Sequence, residues 1–282
     1  MSRSHFRLDR TPRHQRLRVV ALLALFALAS LLIASAAAGP STAASKDAQP
    51  KPTIVLVHGA WADASSWNDV TKKLQGDGYP VIAPANPLRS LSGDSAYIAS
   101  VLAQTPGPLV VVGHSYGGAV ITNAAAGNPN VKALVYIDAF IPDIGENILQ
   151  LGGAGSLIPQ SIEFKGFPPF GPTDVDIYIK AGSFREAFAA DLPAKVTDVM
   201  AAEQRPIALA AATGSTTATA WKTIPSWALI GTEDNAITPD QQLFMAHRAG
   251  STIVQVKSAH VSLISRPEDV AKLIETAAEA TG

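Results

Sequence analysis

The pentapeptide Gly113-His114-Ser115-Tyr116-Gly117 stands between an apolar, β-branched run (108–112) and a segment of helical character (118–126). An apolar run of that kind reads as a parallel strand buried on both faces. A buried strand that turns into a helix at a G-x-S-x-G serine is a nucleophile elbow, and few architectures accommodate one. So tight a turn brings backbone segments together, and glycine at 113 and 117 avoids clashes that a side chain would create. Ser115 is then held at the carboxyl end of its strand, beside a helix N-terminus that favours developing negative charge. The competing reading is a glycine-rich turn with a capping serine.

Five further strand-like runs repeat the pattern. With 109–112 they make six: 53–57, 80–83, 133–138, 226–230 and 252–256. Helical patterns lie between them at 66–75, 94–104, 116–126 and 239–249, and a last one closes the chain at 267–280. In that last helix Ser265 is the expected cap, Pro267 suits the first turn, and Glu268 and Asp269 oppose the helix dipole. Alternating strands and helices predict an α/β fold: a mainly parallel sheet of about six strands covered by helices. One interval breaks the alternation. Residues from about 141 to 222 lie where one helix would suffice, ahead of the last two strands, and an insertion that long predicts a cap with structure of its own. Helices are expected in it near 183–190 and 194–209. Its aromatic residues Phe164, Phe167, Phe170, Tyr178, Phe184 and Phe188 either line a pocket above Ser115 or form the cap's own core.

The N-terminus is of a different kind. Residues 1–18 hold six arginines and one acid, and 19–38 are almost wholly apolar with small residues at the end. A basic start, an apolar stretch and a small-residue exit predict a secretory signal peptide over 1–38; an uncleaved membrane anchor is the alternative, because the run is long enough to span a bilayer. Residues 39–52 read as a polar, proline-bearing linker, leaving 53–282 as the folded domain. The protein is then expected to be secreted or extracytoplasmic, touching membrane only if the segment is retained. Its lack of cysteine is compatible with export, since a core of this size needs no disulfides. Of 22 basic and 23 acidic side chains, residues 1–38 carry six and one, so the remainder has 16 against 22, a formal net of −6. No basic patch remains, which argues against nucleic acid as a partner.

A serine hydroxyl needs a base within hydrogen-bond reach and a group to orient that base. Past residue 38 the histidines are His58, His114, His247 and His260. His260 follows the last strand, from where a loop can reach over the elbow, and is the expected base. His247 falls in a helical pattern and reads as a surface residue; His58 and His114 flank glycines in tight turns and read as structural or pocket-lining. The orienting acid should follow the preceding strand, in Gly231-Thr232-Glu233-Asp234. Asp234 is the expected residue, Glu233 pointing elsewhere, with Asp138 at another strand end as the competitor. The backbone N–H of Tyr116 and of Ala60, in the loop after the first strand, are the expected oxyanion donors, each worth about 3–4 kcal/mol of barrier. Trp61 and Trp67 either wall that loop and the pocket or simply pack the first helix on the sheet. Zinc-protease HExxH, the phosphate loop GxxxxGK[ST], GxGxxG after the first strand and S-x-x-K are all missing from the sequence.

His58-Gly59-Ala60-Trp61 with Trp67 six residues on, then GHSYGG, GTED and SAH, resemble the α/β-hydrolase superfamily over 53–282. Within it the chain looks like the compact branch of plant methylesterases, salicylate esterase-like bacterial enzymes and hydroxynitrile lyases. That resemblance implies a carboxylesterase-type serine hydrolase for small to medium apolar esters, with no cofactor and no metal. It maps nucleophile, acid and base to Ser115, Asp234 and His260, and the oxyanion donors to Ala60 and Tyr116. Hydroxynitrile lyases of the branch carry lysine after the histidine, where this chain has Val261. Other chemistries on the same fold, hydroxynitrile cleavage (against which Val261 weighs), C–C hydrolysis or perhydrolysis, and a non-catalytic binding role are the alternatives. Oligomeric state is not legible.

Overall fold

A computed structural model describes residues 50–166 and 175–281. The expected signal or anchor segment, nearly all of the linker, Phe167 and Phe170 lie outside the described residues.

Six strands form one parallel sheet: β1 (Thr53–Val57), β2 (Val81–Ile82), β3 (Leu109–His114), β4 (Val131–Ile137), β8 (Ser226–Gly231) and β9 (Thr252–Val256), in the order β2-β1-β3-β4-β8-β9. The central strands are apolar on both faces because both faces are covered. Val55, Val57 and Val111 pack into one core layer, while Ile54, Leu56, Val110 and Val112 pack into the other. Against the first layer lies the helix Tyr116–Ala124; against the second, the helices Asn68–Gly76 and Pro267–Thr281.

Several element ends differ from expectation. The second strand contracts to two residues, since Pro80 and Pro84 around it supply no N–H to a ladder. The second helix starts at Leu91 because Ser90, extended at φ −160°, accepts a hydrogen bond from Gly93 N–H. Ser265 is no cap: it ends a separate turn, Ser262–Ser265, and its buried hydroxyl has no hydrogen-bond partner among the described residues.

The insertion lies between β4 and β8. Two of its helices, Ala181–Phe188 and Ala194–Glu203, fall where expected, but the second stops short of residue 209. Pro206 disfavours helical backbone at Arg205 and cannot donate to a helix itself. Unforeseen is a three-stranded antiparallel sheet: β5 (Ile162–Gly166), β6 (Val175–Ile179) and β7 (Ile207–Ala208), in that order. The cap is tied down by Trp61, whose N–H donates to Arg205 O and whose Nε1 donates to Ile177 O, and by Arg89, whose guanidinium reaches Asp176 Oδ1 at 2.7 Å and Pro206 O at 2.9 Å.

Candidate active site

β3 ends at His114, and the next residue takes a conformation that few side chains adopt: Ser115 has φ 53° and ψ −122°. A Cβ on Gly113 would lie 2.6 Å from Gly117 O, and one on Gly117 would collide with the Val57 carbonyl oxygen, so both positions exclude a side chain. The elbow is pinned from outside, with Ser115 N–H donating to Ile137 O and Phe140 N–H donating to Ser115 O. Such a backbone costs about 1–3 kcal/mol and persists only where neighbours over-determine it.

β8 delivers Asp234 and β9 delivers His260. Ser115 Oγ lies 2.8 Å from His260 Nε2, and His260 Nδ1 lies 2.7 Å from Asp234 Oδ2. An ionised carboxylate only accepts, so Nδ1 carries the proton and Nε2 is left bare toward the serine. All three residues are buried. Asp234 is held in turn: its Oδ1 accepts from Ala236 and Ile237 N–H at 2.7 and 3.0 Å, and its Oδ2 accepts from Gln242 Nε2 at 2.7 Å. Burial alone would push the His260 imidazole down. The charge of Asp234, its hydrogen bond and the more remote Asp138 outweigh burial, and the net displacement is upward from 6.5.

The other candidates sort cleanly. Glu233 points to solvent and pairs with Lys257 at 3.5 Å. His247 is exposed on its helix. His58 is structural: its Nδ1 donates to Gly59 O, its Nε2 accepts from Asn86 N–H, and burial pushes its pKa down to about 4. His114 is also structural, its Nε2 donating to the His260 carbonyl at 2.9 Å, and burial keeps the ring neutral. Asp138 is buried but does not touch the histidine ring; it accepts from Gly231 N–H and from the N–H and hydroxyl of Ser262.

A cavity of about 130 Å³ opens in front of the serine. Ala60 and Tyr116 line it together with Ser115 and His260, and Trp61 walls it. Tyr116 is the first residue of its helix, so its N–H has no acceptor within that helix. Its phenol is fixed by Asp94, whose Oδ2 accepts from Tyr116 Oη at 2.8 Å. The rest of the lining is mostly aliphatic, with Ile148, Ile158, Ile162, Ile177 and Ile207 beside Phe140 and Ser156, and among the described residues it includes no Asp, Glu, Lys or Arg. The cap aromatics are therefore mostly elsewhere. Phe184 and Phe188 are buried in the cap, with the Phe188 ring 5.1 Å from that of His260, and Phe164 is exposed. Trp67 is fully buried and meets the His114 ring edge-on at 6.4 Å. Gln242, Ser262 and Asn86, which bond Asp234, Asp138 and His58, were not anticipated; no motif marks them, because each meets its partner through a chain path that the sequence does not reveal.

The family model described as "Alpha/beta hydrolase family" matches residues 54–273, and the chain belongs to that family of hydrolases. Among curated proteins it is 36% identical over 111 residues to a carbendazim hydrolyzing esterase of Nocardioides sp. (strain SG-4G), a match that covers 35% of this chain and 46% of that one. The chain therefore spans less than half the length of that relative. It is 27% identical over 261 residues to alpha/beta hydrolase nvfD of Aspergillus novofumigatus, covering 81% and 97% of the two. Among solved structures it resembles an extracellular alpha/beta-hydrolase from Paenibacillus species whose description relates it to tobacco salicylic acid binding protein 2. The TM-score is 0.66, with 23% identity over 80% of this chain and 98% of that one. The likeness agrees with the compact branch expected from the sequence, at the level of the fold.

Proposed function

We propose that this chain is a serine hydrolase of the carboxylesterase type, cleaving small to medium uncharged esters through an acyl-enzyme. The observation that carries the reading is the unbroken hydrogen-bonded series Ser115–His260–Asp234 opening onto an aliphatic cavity. Ser115 attacks the ester carbonyl while His260 Nε2 takes its proton. Asp234 stabilises the imidazolium without becoming protonated. The backbone N–H groups of Ala60 and Tyr116 stabilise the oxyanion. His260 returns the proton to the departing alcohol, and water repeats the cycle on the acyl-enzyme. A lining without charged side chains leaves a carboxylate or ammonium on the substrate without a partner, which selects neutral esters.

Val261 supports ester cleavage over cyanohydrin cleavage: it is packed into the core layer at 1% exposure, so no cation stands beside His260 at that position. Export is part of the same reading, with 1–38 as signal peptide and 39–52 as linker to the catalytic domain. N-terminal sequencing of protein recovered outside the cell tests it, and a mature chain still beginning at residue 1 contradicts it. For the activity itself, p-nitrophenyl esters of increasing acyl length are hydrolysed by the protein and not by Ser115→Ala. Equal turnover by the variant overturns the assignment.

A further inference from the structure

Asp138 is a fully buried carboxylate with no part in the proton path described above. It follows β4 with φ 44°, a left-handed conformation, and so shares with Ser115 the property of a non-glycine residue held at positive φ. Three segments meet there. Its own chain holds the elbow, because Ile137 O and Phe140 N–H on either side of it bond the Ser115 backbone. Its Oδ1 accepts Gly231 N–H at 2.8 Å, at the strand end from which the Asp234 loop departs; Asp234 N–H in turn donates to Gly231 O. Its Oδ2 accepts Ser262 N–H at 3.0 Å and the Ser262 hydroxyl, two residues beyond His260.

We propose that Asp138 is a positioning residue for the triad: its carboxylate clamps the acid loop to the base turn beside the elbow, and its charge helps hold the His260 imidazolium. The inference rests on the serine-hydrolase reading. A carboxylate fixed by three donors adds a buried link between loops otherwise joined by the reacting pair, the exposed Glu233–Lys257 pair and the bond from Glu233 N–H to Ser258 O, and small misplacements of a catalytic group are costly. Burial, and then the nearness of the Asp234 carboxylate, raise the Asp138 pKa to about 7, while His260 and the Ser262 donors favour its charged form. Among the described residues, the charged and titratable groups acting on His260 are Asp234 from the loop after β8, Asp138 from the end of β4 and neutral His114 from β3. The cap adds Asp191, whose Oδ2 accepts Ala259 N–H at 3.1 Å.

Asp138→Asn keeps the shape, removes the charge and sets an amide donor against donors. We expect kcat to fall about 10- to 100-fold with little change in KM. Removing negative charge makes the imidazolium less favourable, so the acid limb of kcat/KM should move down, by less than about one pH unit because Asp138 is only partly charged across that limb. Ser262→Ala keeps the charge and removes one donor; kcat should fall about three- to tenfold with the acid limb nearly in place. If Asp138→Asn does not fold, the fall in kcat of Ser262→Ala decides the matter. Titration of the His260 ring by NMR follows the same shift without substrate. A parent protein inactive on every ester therefore sinks the hydrolase reading alone. Parent-like kcat in Ser262→Ala, or an unmoved His260 titration in folded Asp138→Asn, overturns the role of Asp138.

Discussion

Replacing Asp234 with asparagine preserves the outline of the side chain but not its hydrogen-bonding logic. Four N–H donors converge on the carboxylate: Ala236 and Ile237 on Oδ1 at 2.7 and 3.0 Å, and Gln242 Nε2 and His260 Nδ1 on Oδ2, both at 2.7 Å. A carboxylate accepts all four, whereas a carboxamide has one oxygen. The backbone donors on Oδ1 cannot rotate away, so the amide oxygen takes that place and the amide NH2 faces His260. Opposite a donor, the ring presents a bare Nδ1 and carries its proton on Nε2. That nitrogen then points a proton at the Ser115 hydroxyl instead of receiving one. Gln242 can turn its oxygen toward the new NH2, at the expense of its bond to Ile237 O at 2.8 Å, so the fold survives. Wrong tautomer and lost charge together should lower kcat about 10⁴-fold, or about 5.5 kcal/mol at 1.36 kcal/mol per tenfold. Steady-state kinetics on p-nitrophenyl butyrate, with circular dichroism to verify folding, reads the effect. A folded variant within tenfold of the parent kcat refutes the tautomer argument and, with it, the role given to Asp234.

The remaining expectations are independent of that one. His260 acts as base only when neutral, and its pKa is displaced upward from 6.5, so kcat/KM should fall on the acid side with an apparent pKa above that value. A limb below the ordinary histidine value contradicts the assigned electrostatics. Ile177→Phe fills part of a cavity of about 130 Å³. Octanoate esters should then lose about tenfold or more in kcat/KM relative to acetate esters, and an unchanged ratio would place the acyl chain elsewhere. Gly117→Ala drives a methyl into the Val57 carbonyl oxygen and to 3.0 Å from His58 O. Since backbone atoms cannot yield as side chains do, urea unfolding should report a loss of about 1–3 kcal/mol.

The parallel sheet was legible because its central strands are buried on both faces, and continuous apolar runs such as Ile54–Val57, short and bounded by turn residues, read as such strands. That Ser115, Asp234 and His260 meet was legible for a related reason: each follows a strand that is easily found, and the carboxyl ends of parallel strands share one edge. The insertion was less so. β6 does alternate, Val175, Ile177 and Ile179 against Asp176 and Tyr178, and that period of two was the available signal for the cap sheet. β7 is two residues long and carries no period at all. The sequence left open whether the cap aromatics line the pocket or build a core, because the isoleucines that line it, from 148 to 207 and again at 237, are scattered along the chain and converge only on folding. Gln242 and Ser262 carry no such signal, because a side chain that hydrogen-bonds a buried carboxylate, Asp234 or Asp138, has no sequence spacing to betray it.

The account turns on whether the Ser115 hydroxyl is activated, and covalent capture measures that directly. After incubation of the folded protein with a fluorophosphonate, intact-mass analysis and peptide mapping should find one adduct, on Ser115, and markedly slower labelling of His260→Ala. Folded protein that stays unlabelled, or an adduct on another residue, contradicts the account.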